Sequence, residues 1–461
     1  MWWSSAQGLR GLAAASVTAA AGLATLLADE NATPGGQIYR AVTTTPVRDR
    51  AILGDDYWHG ATLVETARRS GAEMLSGALV WSLDASLTLG LSHGGIARMV
   101  QARRVIVATG AQERPFPIPG WTLPGVMTVG GAQTLLKASG LVTQGRAVIA
   151  GMGPLLWLYA AQVLRAGGRI EAILDTTPRG ALLRAMPYAP GLMLSPLFAK
   201  GRALMREVRR RVTVVAAVTE LSASGGARVR EIAFRSGGGE TRTLPLDTLL
   251  LHQGVVPSTS LAMAAGVAHR WDPLQHCWVP VLDDALQSSV PGVSVAGDGG
   301  GIAGAWAAEA RGRLAGIAAV RALKPDARVP DEQAVRHALV RHLLGRRFLD
   351  TLYEPSAATR IPADDVIACR CEEVTAGRIR ETVAMGCEGP NQMKALTRCG
   401  MGPCQGRLCH LTVTEVIAAA RGVSPAEVGT YRVRPPVKPI PLSEFAAMSA
   451  GDEAMRAVVR L

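Results

Sequence analysis

Short apolar runs rich in Val, Ile, Leu and Ala recur along the chain, each closed by glycine or a carboxylate and most followed by helical periodicity. This alternation predicts β-α units whose strands are buried on both faces of parallel sheets. The first is a short strand from Trp2 to Ser5, an Ala-rich helix after Gly11, and a strand from about Leu23 to Ala28. Arg104-Val105-Ile106-Val107-Ala108-Thr109-Gly110-Ala111 reads as a buried parallel strand ending in a Gly turn. The stretch from Arg114 to Gly120 holds three prolines, which remove backbone donors, so it is neither helix nor central strand but a connection leaving one domain. A second series follows: a strand Ala147–Ala150, a helix to Arg165, and a strand Ile170–Leu174. The basic, amphipathic segment Leu182–Arg211 predicts a solvated helical face. Strands are expected at Val212–Val218 and Val229–Phe234, with a turn at Gly237-Gly238-Gly239, then at Leu249–Leu251 and Val293–Ala296.

The expected fold class is α/β, with two Rossmann-like dinucleotide-binding domains and a small helical C-terminal domain. The first domain would span 1–118 and resume at 246–323, interrupted by the second at 119–245. A linker (324–363), the small domain (364–422) and a tail (423–461) complete the chain.

Two glycine turns carry the nucleotide chemistry. Ala6-Gln7-Gly8-Leu9-Arg10-Gly11 has the spacing of G-x-G-x-x-G with alanine leading, and Glu30 lies where a carboxylate would accept from a ribose hydroxyl. Gly151-Met152-Gly153-Pro154-Leu155-Leu156 repeats the spacing, and Asp175 lies as far beyond Gly151 as Glu30 does beyond Ala6. Glycines let the backbone approach a pyrophosphate at the positive end of the following helix. Ala6 carries a Cβ where the tight turn prefers none. Gly297-Asp298 after the Val293 strand adds a carboxylate suited to polyol hydroxyls, or to capping the next helix.

Four of the seven cysteines form two close pairs, Cys369-Arg-Cys371 and Cys399-Gly-Met-Gly-Pro-Cys404. Thiolates so placed suit a metal centre, and the spacing leaves an iron–sulfur cluster, zinc and free thiols open. Cys409, five residues past Cys404, could replace a ligand, with packing in a helix the simpler reading. Upstream of residue 360 the only cysteine is Cys277, so no redox dithiol serves the dinucleotide-binding folds. His252, His269 and His276 are read as structural.

Composition then narrows the partners. The net charge of +12 is carried mainly by scattered arginines, without a basic run interleaved with aromatics, so nucleic acid is excluded as a partner. The apolar run Gly11–Ala28 has the length of a targeting segment but is rich in Ala and Gly, and it fits a buried helix and strand better than a membrane span. The odd cysteine count and clustered thiols point to a reducing compartment, the cytoplasm, with the inner face of the membrane as the alternative.

Together Ala6-x-Gly8-x-x-Gly11 with Glu30, Pro34-Gly35-Gly36-Gln37, Ala108-Thr109-Gly110 and Ala296-Gly297-Asp298 resemble the two-dinucleotide-domain flavoproteins. Gly120-Trp121-Thr122-Leu123-Pro124-Gly125-Val126-Met127 and Arg434-Pro435-Pro436-Val437-Lys438-Pro439 resemble the α-subunits of heteromeric amine and imino-acid dehydrogenases of the opine oxidase, hydroxyproline dehydrogenase, sarcosine oxidase and hydrogen cyanide synthase group. The cysteine pairs resemble the 2Fe-2S domain of bacterioferritin-associated ferredoxin. The resemblance implies an FAD-dependent oxidoreductase acting on CH–NH donors. FAD would contact Gly8, Gly11, Glu30, Gln37, Thr109, Gly110, Gly297 and Asp298, and NAD(P) or ATP would lie near Gly151, Gly153 and Asp175. A 2Fe-2S cluster would be held by Cys369, Cys371, Cys399 and Cys404. Two partners are implied: a catalytic β-subunit that contains FAD, and a small ferredoxin-like subunit. The alternatives are a freestanding NAD(P)H-dependent reductase and a scaffold with degenerate nucleotide sites. With a two-electron flavin upstream, a one-electron iron–sulfur centre is favoured over zinc.

Overall fold

The computed structural model describes residues 2–4 and 7–448; Ala6, at the head of the first glycine turn, lies outside the described residues. The first sheet has five parallel strands in the spatial order Val293–Val295, Arg104–Val107, Trp2–Ser4, Thr25–Asp29, Glu73–Ser76. Neighbouring strands far apart in sequence require crossovers, and the helices Leu9–Ala20 and Ala305–Leu323 pack together against this sheet. Their close approach is specified by small residues. A Cβ at Gly312 would come within 2.3 Å of the Arg10 carbonyl oxygen, and one at Gly316 within 2.9 Å of that of Ala14. The apolar run expected to be internal is internal: it supplies the buried faces of Leu9–Ala20 and the wholly buried strand Thr25–Asp29. Among the described residues no helix is long and apolar enough to cross a membrane.

The second sheet is also parallel, in the order Thr213–Val215, Ala172–Asp175, Ala147–Met152, Thr248–Gln253, Val126–Thr128. Here the expected boundaries shift. The strand Thr248–Gln253, assigned from sequence to the returning half of the first domain, pairs along its whole length with Ala147–Met152 and completes the second sheet. Leu249, Leu250 and Leu251 are buried in that sheet, as expected of a parallel strand covered on both faces. The crossing back comes afterwards, where Val255–Pro257 pairs antiparallel with Ala111–Glu113.

Residues 324–363, expected as a linker, carry the helices Glu332–Leu343, Arg346–Leu352 and Ala357–Arg360. Val335 packs beside Val17 and Ile317, and Gly345 sits so close to Leu192 that a Cβ would meet its Cα at 2.9 Å. The segment from Leu182 likewise breaks into short helices before the long Pro196–Arg209 helix. The last body, built on Ala376–Ala384, Pro390–Thr397 and His410–Arg421, has its own apolar core that includes Cys369, Cys387, Cys399 and Cys409.

Candidate functional site

In the first sheet, strand ends and glycine turns form a cradle. Gly8 caps helix Leu9–Ala20 with no side-chain cap of its own, which leaves the helix N-terminus directed at whatever fills the cradle. Gly11 lies buried in the first turn of that helix. Gly8 also forms a parallel bridge with Gly35, and the Gly35 N–H donates to the Gln7 carbonyl at 2.6 Å. At Gly36, with φ +60°, a Cβ would meet the Gly8 Cα at 2.8 Å. Gln37 continues this loop, and its carbonyl faces the buried Lys137 ammonium at 3.3 Å. At the Arg104–Val107 strand end, Thr109 Oγ1 donates to the Ser258 carbonyl at 2.7 Å, and Gly110 adopts φ +78°. Gly297 is buried with φ +67°, and Asp298 Oδ1 accepts from the N–H groups of Ala303 (2.9 Å) and Gly304 (3.1 Å). These bonds cap the loop ahead of helix Ala305–Leu323.

The carboxylates at the second strand divide their work. Asp29 is buried, accepts from the Gln7 and Asn31 N–H groups, and is held above the usual carboxylate range by burial. Glu30 is exposed and pairs with Lys438 of the C-terminal strap. Sequence spacing pointed to Glu30 and missed Asp29, although Asp29 is the residue that fixes the turn. A dinucleotide fits this cradle: Gly8, Gly36 and Gly110 hold the backbone where side chains would intrude, and a helix N-terminus faces it.

The second turn is built alike. Gly151 has φ +141°, and a Cβ there would meet the His252 carbonyl oxygen at 1.7 Å; Gly153 has φ +111° and caps helix Pro154–Arg165. Asp175 ends its strand and accepts from the Thr177 N–H at 2.9 Å. His252, buried beside this turn, binds Glu113 Oε1 through Nδ1 at 2.7 Å, and Glu113 Oε2 accepts from the Gly130 N–H at 2.8 Å. Tyr353, from the segment expected as linker, reaches the same turn, and burial followed by the charge of Asp175 pushes its phenol up to about 12. His269 meets the Val267 carbonyl through Nδ1 (2.7 Å) and leaves its buried Nε2 without a partner among the described residues, while His276 Nε2 meets Glu354 (3.3 Å).

Five cysteines meet in the C-terminal body. The sulfurs of Cys369, Cys399 and Cys409 lie within 4.8 Å of one another. Cys371 and Cys404 are half-buried neighbours at the same loop, packed so tightly that a Cβ at Gly402 would meet Cys371 Cβ at 2.3 Å. Cys409, for which packing is the simpler reading and a ligand role the other, stands with Cys369 and Cys399 in this triad. The signal was present in the sequence, because the four-residue gap from Cys399 to Cys404 repeats from Cys404 to Cys409. Within the triad, hydrogen bonding from Cys399 and then Cys409 pulls the Cys369 thiol down to about 2, while Cys399 is pushed up to about 12 by the bond to Cys369. Three sulfurs this close form a soft donor set suited to a thiophilic metal. Tyr431 closes the pocket, its hydroxyl 3.5 Å from Cys399 Sγ. The body is docked on the nucleotide domains: Gln112 Nε2 donates to the Arg407 carbonyl at 2.8 Å and Trp121 Nε1 to that of Ile367 at 2.9 Å.

Residues 7–312 match the family described as pyridine nucleotide-disulphide oxidoreductase. The chain belongs to this family. Within it, the chain belongs with the opine oxidase A subunits: it is 46% identical to the one from Agrobacterium tumefaciens over 98% of its own length and 92% of that protein's. Hydrogen cyanide synthase subunit HcnB of Pseudomonas aeruginosa is 31% identical, covering 97% of this chain and 98% of the relative. Residues 368–452 match the sarcosine oxidase A3 domain. The crystal structure of L-proline dehydrogenase from P. horikoshii shares the fold, with a TM-score of 0.72 at 18% identity over 95% of this chain and 78% of the other. This oxidoreductase is FAD-dependent, with a Rossmann-type FAD domain. It departs from the dithiol chemistry in the family's description, since Cys277 is alone in the nucleotide domains, buried, and pushed up to about 12 by that burial.

Proposed function

We propose that this chain is the FAD- and 2Fe-2S-containing electron-relay subunit of a heteromeric dehydrogenase that oxidises secondary amines or imino acids of the opine type. The observation that carries the reading is the five-thiol cluster joined to the FAD cradle by one short segment. Thr109 and Gly110 border the cradle, and two residues later Gln112 holds the Arg407 carbonyl in the cysteine loop. Bound flavin would supply two-electron chemistry and the cluster one-electron steps.

The chain's own residues position and insulate. Gly8, Gly11, Gln37, Thr109, Gly110, Gly297 and Asp298 line the FAD cradle, with Glu30 at its exposed edge tied to Lys438. Cys369, Cys371, Cys399, Cys404 and Cys409 offer more thiols than a 2Fe-2S cluster takes. Tyr431 keeps water from the buried sulfurs. Cys277 is a lone buried thiol and so offers no redox dithiol, and His252 and His276 are engaged by Glu113 and Glu354. That supports placing amine oxidation on a β-subunit that contains FAD, with one further small partner, a ferredoxin-like subunit. The names of the relatives, subunits of opine and sarcosine oxidases, support the same assembly. The reading is tested by assaying the purified single chain on opines and proline-like amines with a dye acceptor: no turnover is expected from the chain by itself, and turnover once the β-subunit is present. Turnover by the single chain would refute it.

A second reading, an NAD(P)H-dependent reductase, draws on the Gly151–Gly153 turn with Asp175. That turn would hold NAD(P) or ATP, with Gly151 and Gly153 leaving room for the backbone to approach a diphosphate. Rapid bleaching of the flavin by NADH or NADPH would favour the second reading.

A further inference from the structure

Arg10 stands at the second residue of helix Leu9–Ala20, between the glycines Gly8 and Gly11 of the turn. Only 8% of it is exposed. Its stem runs under Gly297, where a Cβ would meet Arg10 Cδ at 2.3 Å, and its guanidinium reaches Gly110, where a Cβ would meet Nη2 at 1.9 Å. The head group thus lies across the carboxyl ends of the strands Arg104–Val107 and Val293–Val295. Nε donates to the Ala108 carbonyl at 3.0 Å. Neither Nη has an acceptor among the described residues.

The carboxylates that face Arg10 are Asp29 and Asp298, and both act on it through charge without a hydrogen bond. Asp29 is occupied by the N–H groups of Gln7 and Asn31, and Asp298 Oδ1 by those of Ala303 and Gly304. Arg311, the other cation beside Asp298, is already used: its Nη1 donates to the carbonyls of Gly301 (2.7 Å) and Gly297 (3.4 Å). Both Nη groups are left without a protein acceptor among the described residues, and an anion in the cradle would complete them. Its location, beside a helix N-terminus and over the strand ends of a parallel sheet, is where such folds hold a diphosphate.

We propose that Arg10 is a binding residue for the diphosphate of the dinucleotide in the first domain, its two Nη groups donating to phosphate oxygens while Nε stays anchored on Ala108. The inference rests on FAD being that dinucleotide. The planar fork suits two phosphate oxygens at once, which a lysine ammonium does not reproduce. The site then has a side-chain anchor where the glycine turn works through backbone N–H groups alone.

The test is FAD titration of the full-length chain, stripped of flavin, followed by fluorescence quenching at low and high salt. Arg10→Ala is expected to weaken FAD binding about ten- to hundredfold at low salt, with a smaller loss at high salt. Arg10→Lys should recover part of the affinity. An Arg10→Ala affinity within twofold of wild type, with unchanged circular dichroism and melting, would overturn the proposal. Tighter binding would also overturn it, showing that Arg10 fills the cradle instead of holding the ligand. If the alanine variant does not fold, Arg10→Lys carries the test: a several-fold, salt-dependent loss is expected, and a salt-independent loss or none overturns the contact. A wild-type chain that binds no FAD would sink both the FAD reading and this inference, whereas wild-type binding with an unaffected variant sinks the inference alone.

Discussion

Lys137 ties the two nucleotide domains together, and its burial makes the tie sensitive to pH. It lies in helix Val129–Ser139 and is 4% exposed, with Nζ donating to Ile38 O (2.9 Å), Gln37 O (3.3 Å) and Gln133 Oε1 (2.8 Å). Burial, and then the nearby charge of Arg40, pull its ammonium from 10.5 down to about 7. Above the unfolded value the amine is neutral in both states and folding costs nothing. Below about 7 it is charged in both, and the full penalty applies. Wild-type stability therefore rises with pH across the window between the two values. With a shift from 10.5 to about 7, the penalty is roughly 4 kcal/mol at pH 7 and about 2 kcal/mol at pH 9. Lys137→Met removes the titrating group and leaves the Gln37 and Ile38 carbonyls without their donor, a loss that does not depend on pH. Urea unfolding of both proteins at pH 7 and pH 9 should show the wild type gaining about 2 kcal/mol on the variant. A stability difference that stays flat over that range would refute the argument.

Three further outcomes are expected. Glu415→Gln breaks the buried pair with Arg360, which fastens the cysteine body to the helices before it, and should cost about 3–5 kcal/mol in thermal unfolding; a cost under 1 kcal/mol would mean that the pair is solvated. Gly36→Ala forces a Cβ against the Gly8 Cα in a left-handed residue, so the purified variant should hold markedly less flavin per chain, as measured by absorbance. Cys409→Ser should alter the paramagnetic signal of the reduced protein, whereas Cys387→Ser, at a thiol bonded only to the Gly389 carbonyl, should leave it unchanged.

Both dinucleotide folds were legible because their determinants are local: strand, glycine turn, helix and acidic strand end fall within a few tens of residues. What escaped depends on long-range pairing. Leu249–Leu251 is an apolar strand that either sheet would bury equally well, and only its register with Ala147–Met152 decides. Helix Glu332–Leu343 carries an apolar face of Ala334, Val335, Ala338, Leu339 and Leu343 that was passed over, whereas the short helices Arg346–Leu352 and Ala357–Arg360 are interrupted by Gly345 and Pro355 and give too few turns for a period to show. At the sites, glycines and cysteines announced themselves by spacing, including the repeated gap that marks Cys409. Arg10, Asp29, Lys137, Glu113 and Tyr431 did not, because a charged or phenolic side chain gains its meaning from partners that lie 20 to more than 100 residues away or in another sheet. The bias runs one way: backbone requirements show in sequence, while buried polar partnerships do not.

The central claim is that the thiol cluster is an electron-transfer centre serving a flavin, and anaerobic purification of the full chain with metal analysis and low-temperature EPR tests it most directly. Flavin absorbance, two irons per chain, and a signal of a reduced 2Fe-2S cluster that appears on dithionite addition are the predicted results. Zinc in place of iron, or flavin with neither metal in a cofactor-replete preparation, would contradict it.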